Sequence, residues 1–142
     1  MEQNNIRTLA CFTDGASRGN PGPSAYAYVL VSIDGQVVEE GSGFLGRRTN
    51  NEAEYRALIA GLTAAGRLGA TSLEVYSDSE LMVRQMTGSY RVSSPRLRPL
   101  YQEAQALTRH FRGVTFRPVS REHPLIVRAD RLCNRVLDMH QE

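Results

Sequence analysis

From Arg7 to Leu45 the apolar residues come in short runs separated by polar turn residues, which is the pattern of strands. Arg7–Thr13 is the first run. Ala25–Ile33 is the second, rich in aromatic and β-branched residues (Tyr26, Tyr28, Val29, Val31) that suit a pleated, half-buried surface. Asp34-Gly35 is a two-residue hairpin signal, and Gln36–Leu45 returns as a third strand, so the first third predicts an antiparallel meander. The period then changes. Thr49-Asn50-Asn51-Glu52 is a helix-start signal, and Ala53, Ala57, Leu58, Ala60 and Leu62 continue at helical spacing to about Leu68, where Gly69 stops them. Ser72–Ser77 predicts a strand and Ser79–Thr87 a short helix. Ser94-Pro95 predicts the cap and first residue of another helix, with Leu97, Leu100, Tyr101, Ala104, Leu107 and Phe111 as its apolar stripe. Val114–Arg117 predicts a last strand and Val127–Met139 a last helix, with Ala129, Leu132, Val136 and Leu137 inward.

The predicted order is β-β-β-α-β-α-α-β-α, an α/β fold in which helices flank a mixed five-stranded sheet. Sites in such sheets form at the carboxyl ends of strands. A chain of 142 residues suits one domain, 1–142, with 1–6 and 140–142 expected as flexible tails. Hydrophobic content of 41% and charged content of 23% are those of an ordinary soluble protein. No apolar run approaches the roughly 20 residues that cross a bilayer, and Met1–Asn5 lacks the basic and apolar regions of a signal peptide. A cytoplasmic monomer with no membrane partner is therefore the expectation. Cys11 and Cys133 have neither a disulfide-framework nor a zinc spacing, which leaves a bridge between them open.

Charge adds one detail. The net charge is only +2, but all 17 basic residues are arginine, whose planar fork matches phosphate oxygens. Codon or thermal bias is the better explanation of the missing lysine. Arg47 and Arg48 form one basic group and Arg84, Arg91, Arg96 and Arg98 another. Such groups can track a phosphate backbone, or simply be solvated faces.

The candidate chemistry lies in four acids, Asp14, Glu54, Asp78 and Asp130, each placed where a predicted strand ends or a helix begins. Singly each has a structural reading. Asp14 precedes a turn-forming glycine, Glu54 and Asp130 suit a helix dipole, and Asp78 can cap the helix after it. Together, flanked by Asn20, Arg47, Asn50 and Asn51, they form a candidate site for hard divalent cations. Two Mg²⁺ held by converging carboxylates clamp an in-line displacement at phosphorus. Without metal the carboxylates repel, so at least one pKa should rise.

The text Phe12-Thr13-Asp14-Gly15 with Gly19-Asn20-Pro21-Gly22-Pro23, then Thr49-Asn50-Asn51-Glu52-Ala53-Glu54, Tyr76-Ser77-Asp78-Ser79 and Ala129-Asp130-Arg131-Leu132, closely resembles type 1 ribonuclease H, across nearly the whole chain. The resemblance implies the ribonuclease H-like fold and an endonuclease that cuts the RNA strand of an RNA/DNA hybrid. It implies 5′-phosphate and 3′-hydroxyl products and two Mg²⁺ ions, with Mn²⁺ as a substitute. In its terms Asp14 bridges both ions, Glu54 and Asp78 hold the ion near the nucleophilic water, and Asp130 holds the other. Asn20, Asn50 and Asn51 lie along the minor groove, where amides can read 2′-hydroxyls. Arg47 and Thr49 resemble a pocket for a DNA phosphate.

The chain departs from the family in the loop before Asp130. Relatives place a mobile histidine or a substitute there, aiding proton transfer or product release. In Val119-Ser120-Arg121-Glu122-His123-Pro124-Leu125-Ile126-Val127 the candidate is His123, with Arg121 and Glu122 as rivals, and apolar Ile126 or Val127 stands where a polar residue is expected. No hybrid-binding module is expected ahead of Arg7. The Trp- and Lys-rich protrusion of some relatives is replaced by a short stretch in which Tyr90 is expected against a DNA sugar and Arg91, Arg96 and Arg98 supply the basic handle, giving salt-dependent binding. Two other readings stay open: a nuclease of the same fold acting on double-stranded RNA, and a catalytically silent nucleic-acid-binding domain.

Overall fold

The structure, a computed structural model, describes residues 7–140; the expected tail 1–6 and the last two residues of the expected tail 140–142 lie outside the described residues. Its sheet contains β1 (Thr8–Ser17), β2 (Gly22–Ser32), β3 (Val37–Arg48), β4 (Ser72–Ser77) and β5 (Gly113–Pro118) in the order β3-β2-β1-β4-β5. β1, β2 and β3 pair antiparallel, while β1–β4 and β4–β5 are parallel. This is the mixed five-stranded sheet that the hydrophobic pattern predicts. The first hairpin turns at Asp34-Gly35, with Gly35 at φ +90° and its N–H donating to the Ser32 carbonyl at 2.9 Å.

Among the described residues four helices cover the sheet: α1 (Asn50–Arg67), α2 (Glu80–Met86), α3 (Arg98–Thr108) and α4 (Pro124–Met139). The first three pack on one face, over Leu9, Cys11, Leu30, Leu73 and Val75. α4 covers the other face, over Phe12, Ala25, Ala27, Val29 and Val31. β1 therefore has both faces buried, and alternate residues point to different helices. Cys11 faces the α1 layer and Cys133 the α4 layer; both thiols are free and buried, so the bridge left open by their spacing is absent.

α1 starts where the sequence signals it. The Thr49 hydroxyl accepts from the Glu52 N–H and the Glu52 carboxylate accepts from the Thr49 N–H, at 3.2 and 2.8 Å. It ends with Gly69 in the left-handed region (φ +85°), while the Ala70 N–H reaches back to Ala65 O and the Gly69 N–H to Gly66 O.

Several boundaries differ from the sequence expectation. β1 runs past Thr13 to Ser17 and β2 begins at Gly22, because Asp14–Ser17 stay paired with Ala27–Ser24; the turn is confined to residues 18–21. Ladder pairing uses only backbone groups, so small side chains do not interrupt it. α3 begins at Arg98, not Pro95: Ser94 caps a single turn, and Pro99, lacking an N–H, breaks the helical ladder there. α4 begins at Pro124, not Val127, with His123 as its cap and proline in the first turn.

Candidate active site

β1 outruns its parallel neighbour. The last pair is Thr13 with Ser77, so Asp14 and Asp78 are the next residues of adjacent parallel strands and stand side by side. Asp14 lies inside β1 rather than at its end, a correction to the expectation from its Gly-rich surroundings. Glu54, in the second turn of α1, reaches them from above because α1 crosses β1 at Gly15. A Cβ at Gly15 would stand 2.3 Å from the Ala53 carbonyl carbon, so only glycine permits the approach. The Gly15 N–H then donates to Glu54 Oε1 at 3.0 Å and fixes that carboxylate.

Carboxylate oxygens of Asp14, Glu54 and Asp78 lie within 4.8 Å of one another. Asp130 projects from the second turn of α4 into the same cleft, which has a volume of about 250 Å³ and is also lined by Ser17, Asn50, Arg121, Ile126 and Val127. The fold thus brings all four predicted acids to one place. Asp14 and Glu54 are buried, Asp78 half-buried and Asp130 exposed.

Burial and crowding oppose ionisation. Burial pushes the Asp14 carboxyl up to about 8, aided by the charges of Asp78 and Asp130 and a hydrogen-bond contact with Asp130, and opposed by the Cys133 thiol. Glu54 is raised well above the ordinary range by burial, then by Asp14 and Asp78; the Gly15 N–H pulls the other way. Asp78 is raised by burial, moderated by the positive Arg121. One oxygen of Asp14, Oδ2, is buried with no hydrogen-bond partner; among the described residues only Thr13 Oγ1 shares that condition. An orphaned carboxyl oxygen amid three further carboxyl groups is a donor set suited to a hard divalent cation.

The flanking residues divide into two groups. Asn50 lines the cleft, and its backbone N–H donates to Asn20 Oδ1 at 2.9 Å, tying the β1–β2 turn to the start of α1. Asn51 is exposed beside it. Arg47 lines a pocket with Arg48, Arg96, Pro21 and the cap acid Glu52, and Thr49 adjoins it with its hydroxyl engaged in the α1 cap. Tyr90 is 47% exposed on a second groove shared with Arg91 and Arg98, and the Arg84 guanidinium lies 5.4 Å from its ring centroid, held by Glu80.

His123 stands outside the cleft lining. Its Nδ1 accepts from the Leu125 N–H at 3.1 Å, and its ring stacks on Phe12 with centroids 4.8 Å apart. Of its rivals, Arg121 lines the cleft. His123→Ala is expected to cost about 1 kcal/mol through the lost cap and to lower turnover without abolishing it. Thermal melts and kcat at saturating Mg²⁺ check this; an unchanged kcat removes His123 from the chemistry.

Two residues escaped the sequence reading. The Cys133 thiol donates to the Asp14 carbonyl at 3.3 Å from the α4 side, and Asn134 donates to Asp130 Oδ2 at 3.1 Å. They sit three and four residues after Asp130, the spacing that shares one helix face.

Comparison with known proteins agrees with this geometry. A family profile described as Reverse transcriptase-like matches residues 12–136. RNase H1 from the halophilic archaeon Halobacterium salinarum superposes with a TM-score of 0.89 at 44% identity, covering 93% of this chain and 98% of that one. This chain belongs to the type 1 ribonuclease H family. The N-terminal RNase H domain of a Mycobacterium tuberculosis protein matches at TM-score 0.90 and 45% identity, over 94% of this chain and 95% of that one. LC11-RNase H1, solved in complex with an RNA/DNA hybrid, matches at TM-score 0.88 and 35% identity, over 93% and 98%. The chain spans about a third (34%) of the length of the mycobacterial full-length relatives and 63% of the curated Halobacterium ribonuclease HI.

Proposed function

We propose that this type 1 ribonuclease H domain, taken as one unit over 1–142, is an endonuclease that hydrolyses the RNA strand of RNA/DNA hybrids. It leaves 5′-phosphate and 3′-hydroxyl ends and works as a cytoplasmic monomer. The observation that carries the reading is the orphaned Asp14 Oδ2 at the centre of four converging carboxylates. Asp14, Glu54, Asp78 and Asp130 would hold two Mg²⁺ ions, or Mn²⁺ in their place. When bound, the ions supply a water nucleophile at neutral pH and neutralise charge at phosphorus.

The chain's own residues do the rest. Gly15 fixes Glu54, so the carboxylates keep their geometry before metal arrives. Asn50 sits at the cleft with Asn20 and Asn51 beside it, placed to exchange hydrogen bonds with 2′-hydroxyls of the RNA strand. The Arg47 pocket accepts a phosphate of the DNA strand next to Thr49, and Tyr90 lies against a DNA sugar with Arg91 and Arg98 along the same groove. Among the described residues no helix is long and apolar enough to cross a membrane.

The test compares end-labelled RNA/DNA, RNA/RNA and DNA/DNA duplexes with Mg²⁺. RNA-strand cleavage confined to the hybrid is expected. Equal cutting of RNA/RNA would reassign the substrate, and no cutting at all would favour the silent binding domain.

A further inference from the structure

Asp130 differs from the other three acids in having no packing to fix it. Asp14 and Glu54 are buried and Asp78 is half-buried, whereas Asp130 is exposed. Its orientation comes instead from polar contacts: one with Asp14 across the cleft and a chain of them along α4. Asn134 Nδ2 donates to both Asp130 Oδ2 and the Asp130 carbonyl, each at 3.1 Å. An amide has two ends, and only its NH₂ end attracts a carboxylate; turned about, it would repel one. Two groups set the orientation: the Asp130 carbonyl, which can only accept, and Arg18 at the other end of the amide. Arg18 Nη2 donates to Asn134 Oδ1 at 3.0 Å and approaches the Asn134 carbonyl at 3.5 Å. A guanidinium offers only donors, so it selects the carbonyl end of the amide and leaves the NH₂ end for Asp130. Arg18 is in turn anchored by an ion pair with Asp138 at 2.8 Å, which also offsets its charge near a cation site.

We propose that Asn134, oriented by Arg18 from the β1–β2 turn, is a positioning residue that presents Asp130 to the divalent cation. The proposal rests on the reading of the cleft as a metal site. Asp130, Asn134 and Asp138 are spaced four apart on one face of α4, and Arg18 comes from the turn that directly follows the strand carrying Asp14. The contact therefore couples the two elements that carry Asp14 and Asp130. With Oδ2 held by the amide, Asp130 keeps a fixed direction and Oδ1 is left for a ligand. Arg18 and Asp138 are 40% and 65% exposed, and exposed pairs of this kind add little to stability, so the contact has small worth as a fold-stabilising device.

The test uses the whole chain with Mg²⁺ and Mn²⁺ alone, by titration calorimetry without nucleic acid, and then the Mg²⁺ dependence of hybrid cleavage. Asn134→Leu, close in size but without a donor, is expected to weaken metal binding by about tenfold or more and to raise the Mg²⁺ midpoint of cleavage equally, with the hybrid KM at saturating metal unchanged. Arg18→Ala should show the same direction, and Arg18→Lys, which keeps a donor, should lie closer to the parent. Because Arg18 is exposed, its variants report even where Asn134→Leu fails to fold. Unchanged metal affinity in Asn134→Leu and Arg18→Ala, with an active parent protein, overturns the positioning role alone. A parent that neither binds metal nor cleaves hybrid overturns the metal-site reading and this proposal with it.

Discussion

If Asp14 holds a divalent cation as proposed, Asp14→Asn is expected to lower hybrid cleavage by on the order of 10³-fold, since such a charge at phosphorus is worth several kcal/mol of barrier. The same substitution should stabilise the metal-free protein. Asp14 carries the pKa of about 8, with burial as its main cause and the charges of Asp78 and Asp130 next. A carboxyl whose folded pKa exceeds its unfolded value holds a proton in the native state that the unfolded chain has already released. Its contribution to stability is whole below the unfolded value of 3.8 and is lost progressively as pH rises toward about 8. Glu54 and Asp78 are displaced in the same direction and add to the slope. Glu39, lowered by Arg67, acts in the opposite sense, but its loss falls below its ordinary value of 4.5 and so outside most of this window. Urea midpoints in EDTA at about pH 5 and about pH 8 should therefore show a weaker protein at the higher pH, bracketing the Asp14 displacement. Saturating Mg²⁺ should shrink the difference, because it binds only the folded, ionised carboxylates. Asp14→Asn should shrink it without metal. A midpoint that rises with pH in EDTA would show that these carboxyls are less buried and less crowded in solution than in this structure.

How much of this site could be read from the residues depends on how local each signal is. Asp34-Gly35, the Thr49–Glu52 box and Gly69 are short-range devices, and the hairpin and both ends of α1 appear where they indicate. Asp14, Glu54 and Asp78 were legible because each lies in distinctive text next to an element boundary. The ends of β1 and β2 were not, because Gly15, Ala16 and Ser17 look like turn residues while their backbone continues the ladder with β2. Gly15 is small for the sake of α1 and Ala16 packs in the layer under α4, while the Ser17 hydroxyl donates to the Arg48 carbonyl. The start of α4 carried a readable signal, proline at the first helical position after His123, which the apolar stripe beginning at Val127 outweighed. Cys133 and Asn134 could not be assigned from text alone. Cys133 meets Asp14 across 119 residues of sequence, and no periodicity encodes that distance.

Gly15→Ala carries the second large effect, and it separates geometry from charge because no ionisable group changes. The added Cβ would lie 2.3 Å from the Ala53 carbonyl carbon and 2.4 Å from the Glu54 nitrogen. Both obstacles are backbone atoms of α1, so no side-chain rotation relieves the overlap and the helix itself must move. Farther along, the same helix rests on the same strand at a second glycine, Gly61, where a Cβ would stand 2.5 Å from Cys11 Sγ. α1 is thus seated on β1 at both places through missing side chains, and lifting one end tilts the whole helix. Overpacking of this kind costs roughly 1–3 kcal/mol. The larger consequence falls on Glu54, whose carboxylate loses the Gly15 N–H that holds it at 3.0 Å. A displacement of about 1 Å in a catalytic constellation can cost on the order of 10²-fold in rate. Single-turnover cleavage should be measured at a temperature where urea titration shows the variant fully folded. A rate loss well beyond the unfolded fraction is the expected result. A folded variant with the parent's rate would mean that the carboxylates tolerate a shifted α1, and that the contact at Gly15 governs stability alone.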